Sequence, residues 1–145
     1  MVKWILFLYL WSGIAVGQSL ITPDEFEDIS TGKTLHFNNA LGYHGSEQYL
    51  SNREVRWRFA NGQCQLGYWY DQNDAICFQY DNELTPMCWL FWQTERGIEA
   101  ELLPQGQSSP LVLDFVDTRD ILCGDYLGVK ADGPVSTLLP PRAHP

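Results

Sequence analysis

The residues that could carry out acid–base or nucleophilic chemistry are spread along the chain without forming a catalytic motif. His44 and Ser46 bring an imidazole near a hydroxyl in sequence, but a nucleophilic triad also needs a third group that orients the histidine. Paired carboxylates hydrolyse glycosides, yet the 18 acidic residues make some close pairs inevitable. The sequence therefore predicts a non-enzymatic protein with no catalytic residue, and a hydrolase is the third hypothesis.

Acidic turn residues raise the question of a metal site. Asp71 and Asp74 lie in one predicted turn, and Asp81 and Glu83 lie in the next. A calcium site needs six or more oxygen ligands in a shaped loop, whereas aspartates are common in turns for conformational reasons. No Cys-x-x-Cys pair occurs, which argues against zinc. We therefore predict no metal and no cofactor.

Binding is better supported than catalysis, because aromatic side chains crowd one part of the chain. Residues 54–92 contain four of the six tryptophans. Most of them must fill the core of a small β domain, but tyrosine, tryptophan and arginine also dominate binding hot spots. We predict a binding face made of Arg56, Arg58 and Trp69.

The predicted hairpin at Asn61-Gly62 is the reason for grouping these three residues. A two-residue type I′ turn at this dipeptide pairs Trp57 with Leu66. The two arginines then lie on the face opposite to Trp57. Trp69 lies on the same face as the arginines unless a β-bulge shifts the register.

Four cysteines indicate two disulfides if the protein is exported, and three pairings are possible. Cys77 and Cys88 each lie in a strand-like run, and a four-residue loop at 81–84 would place them opposite each other in a hairpin. This favours Cys77–Cys88. Cys64–Cys123 then ties the C-terminal segment to the central strands.

Turn residues divide the rest of the chain into short elements. A capping box at Thr22-Pro23-Asp24-Glu25 predicts a helix that Gly32 ends. Strand-like runs follow, separated by turns near 61–62, 71–74, 81–86 and 97. The pattern predicts an all-β fold, an antiparallel meander curled into a half-barrel or small barrel, with a short N-terminal helix and two disulfides.

The N-terminal residues 1–17 read as a signal peptide. They hold a single charge, at Lys3, followed by an apolar stretch of about 13 residues, against roughly 20 for a bilayer-spanning helix. Small residues end the segment, as at a signal-peptidase site. We predict a single disulfide-bonded β domain over 18–129, a disordered proline-rich tail over 130–145, and export to the periplasm or the extracellular space.

The charge of the chain limits its partners. The formal charge is −9, and it becomes −10 once Lys3 is removed with the signal peptide. An acidic chain repels nucleic-acid phosphates and anionic lipid surfaces. No later segment of the sequence is long and apolar enough to be a membrane span. The predicted partners are an envelope protein or a small apolar ligand.

Several short motifs between residues 22 and 126 carry a resemblance to known sequences. They are Thr22-Pro23-Asp24-Glu25-Phe26, Thr31-Gly32-Lys33-Thr34-Leu35, Glu47-Gln48-Tyr49-Leu50, Val55-Arg56-Trp57-Arg58-Phe59, Gly62-Gln63-Cys64, Gly67-Tyr68-Trp69-Tyr70, Ile76-Cys77-Phe78-Gln79-Tyr80 and Cys88-Trp89. With these motifs, the chain resembles a group of small uncharacterised exported proteins of alphaproteobacteria. The resemblance implies export and a similar fold, but no activity and no substrate.

Three functional hypotheses follow from the sequence, and each makes a different structural prediction. The first is a binding or inhibitory module of the bacterial cell envelope, with a filled core and an aromatic surface patch. The second is a lipocalin-like small-molecule carrier with an aromatic-lined cavity of at least ~300 Å³. The third, a hydrolase, requires a cleft where titratable groups converge.

Overall fold

The computed structural model describes residues 17–124. Apart from Gly17, the predicted signal peptide lies outside these residues, as do the end of the predicted domain and the predicted tail. The described part of the chain begins with a short strand, β1 (Ser19–Leu20), and one helix, α1 (Pro23–Ser30). The helix of this described part is too short to span a bilayer.

Helix α1 begins as the sequence predicts. The Thr22 hydroxyl accepts a hydrogen bond from the Glu25 backbone N–H at 3.3 Å, and the Thr22 N–H donates to Glu25 Oε2 at 2.8 Å. This reciprocal capping box satisfies backbone donors that the first turn leaves free. Pro23 occupies the first helical position, where its missing N–H costs nothing. Gly32, with φ of +74°, lets the chain turn back toward the first long strand.

Eight further strands follow, and a 3₁₀ turn at Ser51–Arg53 joins the second to the third of them. The strands are β2 (Thr34–Asn38), β3 (His44–Tyr49), β4 (Glu54–Phe59), β5 (Cys64–Gln72), β6 (Ala75–Tyr80), β7 (Met87–Thr94), β8 (Gly97–Leu102) and β9 (Leu111–Asp117).

The strands β2 to β9 form a closed antiparallel barrel of eight strands, which confirms the predicted all-β meander and selects the closed form. Each strand pairs with the next in sequence, and β9 pairs back with β2, where a register shift lies between His36 and Phe37. Such a shift bends a strand and helps a sheet to close. An eight-stranded barrel has an interior that side chains fill or that holds one small ligand.

The β4–β5 hairpin differs from the predicted two-residue turn. The Phe59 N–H donates to the Gln63 carbonyl at 2.9 Å, and the Gly62 N–H donates to the Phe59 carbonyl at 2.9 Å, so the loop has three residues. Gly62, with φ of +88°, occupies the left-handed position that such a loop requires. Trp57 therefore pairs with Gln65, one residue away from the predicted partner.

This single-residue difference reverses the faces of β5. A shift of one residue moves every side chain of a strand to the other side of the sheet. Gln65 and Trp69 enter the barrel, and Leu66 lies on the outer face, opposite Arg56. The prediction that Trp69 shares a face with the two arginines is therefore wrong.

Both predicted disulfides are present. Cys77–Cys88 joins directly opposed residues of β6 and β7, as predicted from the length of the loop between the two strands. Cys64–Cys123 ties the segment after β9 to the start of β5, across a sequence separation of 59. The described cysteines are all oxidised in this structure, and the C-terminal segment is thereby held against the outside of the barrel.

One end of the barrel is closed by helix α1. The Phe26 ring enters the interior and packs with its centroid 4.5 Å from Phe91, 5.3 Å from Trp69 and 5.4 Å from Tyr49. Phe26 is almost completely buried. Outside this cluster, the Arg53 guanidinium lies 4.2 Å from the centroid of the Trp69 ring.

Candidate ligand-binding cavity

The other end of the barrel contains a cavity of about 370 Å³. The loops at this end join β2 to β3, β4 to β5, β6 to β7 and β8 to β9. Exposed residues of three of these loops, Tyr43, Glu83 and Ser108, lie at its edge. Nine aromatic side chains line the cavity: Phe37, Tyr43, Tyr49, Trp57, Phe59, Phe78, Tyr80, Trp89 and Phe91. Its volume lies within the usual range for small-molecule sites.

Strand alternation explains which side chains face this cavity. On β3, Gly45, Glu47 and Tyr49 alternate with residues of the outer face. The Trp57 indole of β4 lies directly over Gly45, since a Cβ on that glycine would clash with Trp57 Cζ2. The Tyr43 ring lies parallel to Trp57 at a centroid distance of 6.5 Å. A glycine on one strand thus makes room for the largest side chain of the next.

Glu47 is a buried carboxyl group in this aromatic wall, with 3% of its surface exposed. The Tyr80 hydroxyl donates to Glu47 Oε2 at 2.8 Å, while Oε1 has no hydrogen-bond partner within the described chain. Burial raises the pKa of Glu47 to about 8, although the Tyr80 hydrogen bond lowers it. A neutral carboxylic acid therefore predominates at pH 7 in the empty barrel.

Gln65 is the second polar group of the interior, with 2% of its surface exposed. Its Oε1 is buried and has no hydrogen-bond partner within the described residues. Trp57 pairs with Glu47 on one side and with Gln65 on the other, so the three side chains form a row across β3, β4 and β5. The row brings two unpaired acceptor oxygens to one aromatic wall, although unpaired buried acceptors are uncommon in folded proteins.

Sequence reasoning missed both polar residues of this row. Glu47 lies in a short run with only weak strand character, and the two-residue turn predicted at Asn61-Gly62 would place Gln65 on the face opposite Trp57. The usable signal was the alternation of Gly45, Glu47 and Tyr49, which places Glu47 on the same side as an aromatic residue. The register of β5 was also needed for Gln65, and that depended on the loop length.

The residues predicted for binding occupy separate places. Trp69 lies inside the closed end of the barrel with 2% exposure, and its cationic neighbour is Arg53. Arg53 also pairs with Glu27 and Asp71, at 2.8 Å in each case. The structure therefore brings Trp69 together with the helix and separates it from the outer arginines.

Arg56 and Arg58 lie on the outer face, where the chain segment that follows β9 covers them in part. Arg56 Nη1 donates to Gln48 Oε1 at 3.2 Å, and the same oxygen accepts from the Ile121 N–H at 3.2 Å. Arg58 Nε donates to the Leu122 carbonyl at 3.0 Å. These contacts hold the C-terminal segment, and a partner-binding role of the two arginines stays a prediction.

A groove of about 310 Å³ on the same outer face brings together a serine, a histidine and an aspartate. Ser46 Oγ lies 2.7 Å from His36 Nδ1, and His36 Nε2 lies 3.4 Å from Asp117 Oδ2 without hydrogen-bond geometry. The histidine that contacts Ser46 is thus His36 of the neighbouring strand β2. The Arg119 guanidinium lowers the pKa of Asp117.

The strand that carries Ser46 offers no oxyanion hole to this outer groove. An oxyanion hole requires backbone N–H groups that point into the site. Ser46 and Glu47 lie in the middle of β3, which pairs with both β2 and β4, so their N–H groups belong to the barrel ladders. The groove can orient a serine hydroxyl, but these N–H groups do not stabilise a developing oxyanion.

Residues 17–124 contain no group of three potential ligands that could hold a metal ion. Among the acids considered for calcium, Asp71 is engaged with Arg53, which lowers the pKa of the Asp71 carboxyl group.

Comparisons of the chain with protein-family models, with curated proteins and with solved structures each found no significant match. The resemblance to exported proteins of alphaproteobacteria therefore stays a prediction. The structure itself defines the class of the described chain: a closed, disulfide-bonded antiparallel β-barrel with one end filled by a helix and a cavity at the other.

Proposed function

We propose that this protein is a non-enzymatic carrier that binds one small, mainly apolar molecule inside the barrel, in the manner of lipocalin-like proteins. The observation that carries the proposal is the cavity of about 370 Å³ with nine aromatic side chains in its wall. It exceeds the ~300 Å³ expected for a small-molecule site. An envelope module that binds through its surface would need a filled core and an exposed aromatic patch, and Trp69 is buried.

The place of action that we propose is an exported one, in the periplasm or outside the cell. Two disulfides in a domain of this size are typical of an oxidising compartment. The acidic composition supports a ligand without a phosphate-rich backbone. Under this proposal, an envelope protein is a recipient or donor of the cargo, and it is not needed to complete the site.

The absence of enzymatic activity is part of the proposal. It is supported by the position of Ser46 in the middle of a doubly paired strand, where the neighbouring backbone N–H groups serve the barrel. It is supported further by Arg119, which shares the charge of Asp117. The groups of the outer groove are thus tied to one another and to the wall of the barrel.

The neutral fluorescent probe N-phenyl-1-naphthylamine tests cavity binding. We expect saturable one-to-one binding, with an increase in probe emission. Ala100 lines the cavity and is fully buried, so Ala100→Phe should fill the space and weaken binding at least tenfold. Ala60 lies in the exposed β4–β5 loop, and Ala60→Phe is the matched control that should leave binding unchanged.

Equal binding by wild type and Ala100→Phe would show that the probe lies outside the barrel and would overturn the carrier proposal. Thermal unfolding of both variants shows whether the added ring disturbs the fold. If Ala100→Phe does not fold, binding is measured by competition: an apolar ligand that occupies the cavity should raise the unfolding temperature of the wild type and displace the probe stoichiometrically. No displacement would again contradict the proposal.

A further inference from the structure

Among the acidic and basic residue types, only acidic ones line the cavity within the described chain. Two carboxyl groups line it, Glu47 in the wall and Glu83 at the edge, while no lysine, arginine or histidine of the described chain does so. We propose that the cavity selects an organic amine in its ammonium form, with an aromatic or aliphatic body; this inference rests on the carrier function proposed above.

The two unpaired acceptors define the head group of the ligand. Glu47 Oε1 and Gln65 Oε1 are buried and have no hydrogen-bond partners within the described residues. They belong to inward positions on β3 and β5, with Trp57 of β4 between them. An ammonium group has three donor hydrogens and no acceptor, so it can donate to an oxygen of this row without placing an acceptor beside it. A hydroxyl group has one donor and also carries acceptor lone pairs, which are less suited to a row of oxygen atoms.

The aromatic wall suits a cation as well as an apolar body. An ammonium ion over the face of a tryptophan or tyrosine is attracted by the ring quadrupole, and most strongly at a desolvated site. Trp57 separates the two acceptors, and Tyr43 lies parallel to it nearer the edge. A carboxylate ligand would find no lysine, arginine or histidine of the described chain in the lining, and the Gln65 oxygen and the Glu83 carboxyl group would disfavour it.

Binding of an ammonium ion changes the protonation of Glu47. In the empty barrel, burial holds the pKa of Glu47 at about 8, so the group is largely neutral at pH 7. A cation beside Oε1 favours the carboxylate. The bound pair is then an ammonium and a carboxylate, and the proton of Glu47 passes to the buffer.

The other titratable groups that face Glu47 do not supply this proton. Burial raises the pKa of Tyr43, Tyr49 and Tyr80 above the usual range, so these phenols stay neutral. Glu83 is exposed at the edge of the cavity. Proton release on binding is therefore a signature of Glu47, and amine affinity should rise with pH from 6 to 8.

Three indole compounds that differ only in the head group test the proposal: tryptamine, tryptophol and indole-3-acetate. Their affinities for the wild-type protein are measured by titration calorimetry at pH 7, in two buffers with different ionisation enthalpies. We expect tryptamine to bind at least tenfold more tightly than tryptophol, and indole-3-acetate to bind most weakly. The difference in heat between the buffers should show a proton released on binding of tryptamine alone.

Two glutamate variants locate the effect. In Glu47→Gln, the affinity for tryptamine should fall at least tenfold and the proton release should vanish, while the affinity for tryptophol changes less than threefold. Glu95→Gln removes one acidic side chain from the exposed β7–β8 turn, at the closed end of the barrel, and should change every affinity less than threefold. Gln65→Leu should weaken tryptamine severalfold without removing the proton release.

The outcomes separate this inference from the carrier function. If tryptophol binds wild type as tightly as tryptamine, or if Glu47→Gln keeps the preference for the amine, the ammonium class is wrong. If none of the indoles binds while N-phenyl-1-naphthylamine does, the carrier function stands and the amine inference falls. If the probe also fails to bind, both fall. The wild-type measurements decide the matter even if Glu47→Gln does not fold.

Discussion

The two ends of the barrel are built from the same strands and similar aromatic residues, yet they differ in what fills them. At the closed end, Phe26 of helix α1 occupies the interior between Tyr49, Trp69 and Phe91. At the open end, Trp57 and its neighbours surround a cavity. The same wall therefore serves as a core where the chain supplies its own ring, and as a candidate site where the described chain supplies none.

The polar groups of the two ends differ in the same way. Arg53 at the closed end has two carboxylate partners, Glu27 and Asp71, and an aromatic face beneath it. Glu47 at the open end has a single donor, Tyr80, for its two oxygens. A satisfied polar group stabilises a fold, whereas an unsatisfied buried one reduces its stability. The comparison thus supports the proposal that the open end binds a ligand.

The largest predicted effect concerns the stability of the empty barrel as a function of pH. The folded pKa of Glu47, about 8, lies above the usual glutamate value of 4.5, so the native state keeps a proton that the unfolded state releases. The free energy of unfolding of wild type should fall as pH rises from 4.5 to 8. The stability of Glu47→Gln should not decline in this pH range. At pH 8 this variant should be more stable than wild type by on the order of 5 kcal/mol.

Urea unfolding at pH 5, 6.5 and 8 measures this difference, with Glu83→Gln as the control at the edge of the cavity. The control should follow the wild-type pH dependence. If the stability of Glu47→Gln declines with pH as that of wild type does, Glu47 is ionised in the native state. The open end then holds no neutral buried carboxyl group.

Truncating one aromatic ring at each end tests the packing part of the comparison. Phe26→Ala should lower the free energy of unfolding by about 3–5 kcal/mol, because the fully buried ring leaves a void among its neighbours. Phe59 lies at the cavity and is only partly buried, so Phe59→Ala should cost less than half as much. Urea unfolding of the two variants at pH 6 checks this, and equal losses would mean that both ends are packed alike.

The contacts of Arg53 at the closed end should be worth less than the packing of Phe26. Arg53→Met removes two partly exposed ion pairs and the contact with Trp69, and should cost about 1–2 kcal/mol, part of it lost at high salt. Arg96→Met is the control, since Arg96 pairs with Glu99 at an exposed hairpin, and it should cost about 0.5 kcal/mol or less. Chemical unfolding at low and high salt measures the loss of unfolding free energy in each variant. Equal losses would mean that Arg53 stabilises the contact between helix and barrel no more than a surface ion pair does.

The smallest predicted effect concerns the outer groove, which serves as a reference for both ends. Ser46→Ala should leave the rate of p-nitrophenyl acetate hydrolysis unchanged relative to wild type, because the Ser46 and Glu47 N–H groups belong to the ladders. A spectrophotometric assay at pH 7.5 measures the rate. A tenfold loss on substitution would identify Ser46 as a nucleophile and overturn the non-enzymatic proposal.

Features that depend on short-range rules could be predicted from the sequence. The capping box around Thr22 and Glu25 identifies the start of helix α1, since its donors and acceptors are three residues apart. The pairing of Cys77 with Cys88 follows from one hairpin, because the length of its loop decides which residues lie opposite each other. The eight-stranded meander follows from turns at regular intervals, because neighbouring antiparallel strands need only short connections.

Features that depend on the exact register could not be predicted, and the site is one of them. A loop of three residues at 60–62, where two were expected, moved Gln65 and Trp69 inside. A two-residue loop and a three-residue loop are both compatible with Asn61-Gly62. The loop length therefore depends on which face of β5 the rest of the barrel buries. The predicted binding face was lost for this reason, although Arg56 and Arg58 were placed on the outer face correctly.

The amino-acid sequence by itself determined the class of this protein: an acidic, all-β meander with a capped helix and two disulfides. Composition, short turns and caps carry the fold class, one hairpin favours Cys77–Cys88, and Cys64–Cys123 is the pair that remains. Only the tertiary structure decided that Phe26 fills one end of the barrel, and that Glu47 lies at the other beside an unpaired Gln65. Closure joins β9 to β2, strands more than 70 residues apart in sequence. The burial that raises the pKa of Glu47 exists only once that closure has enclosed the inner face of β3.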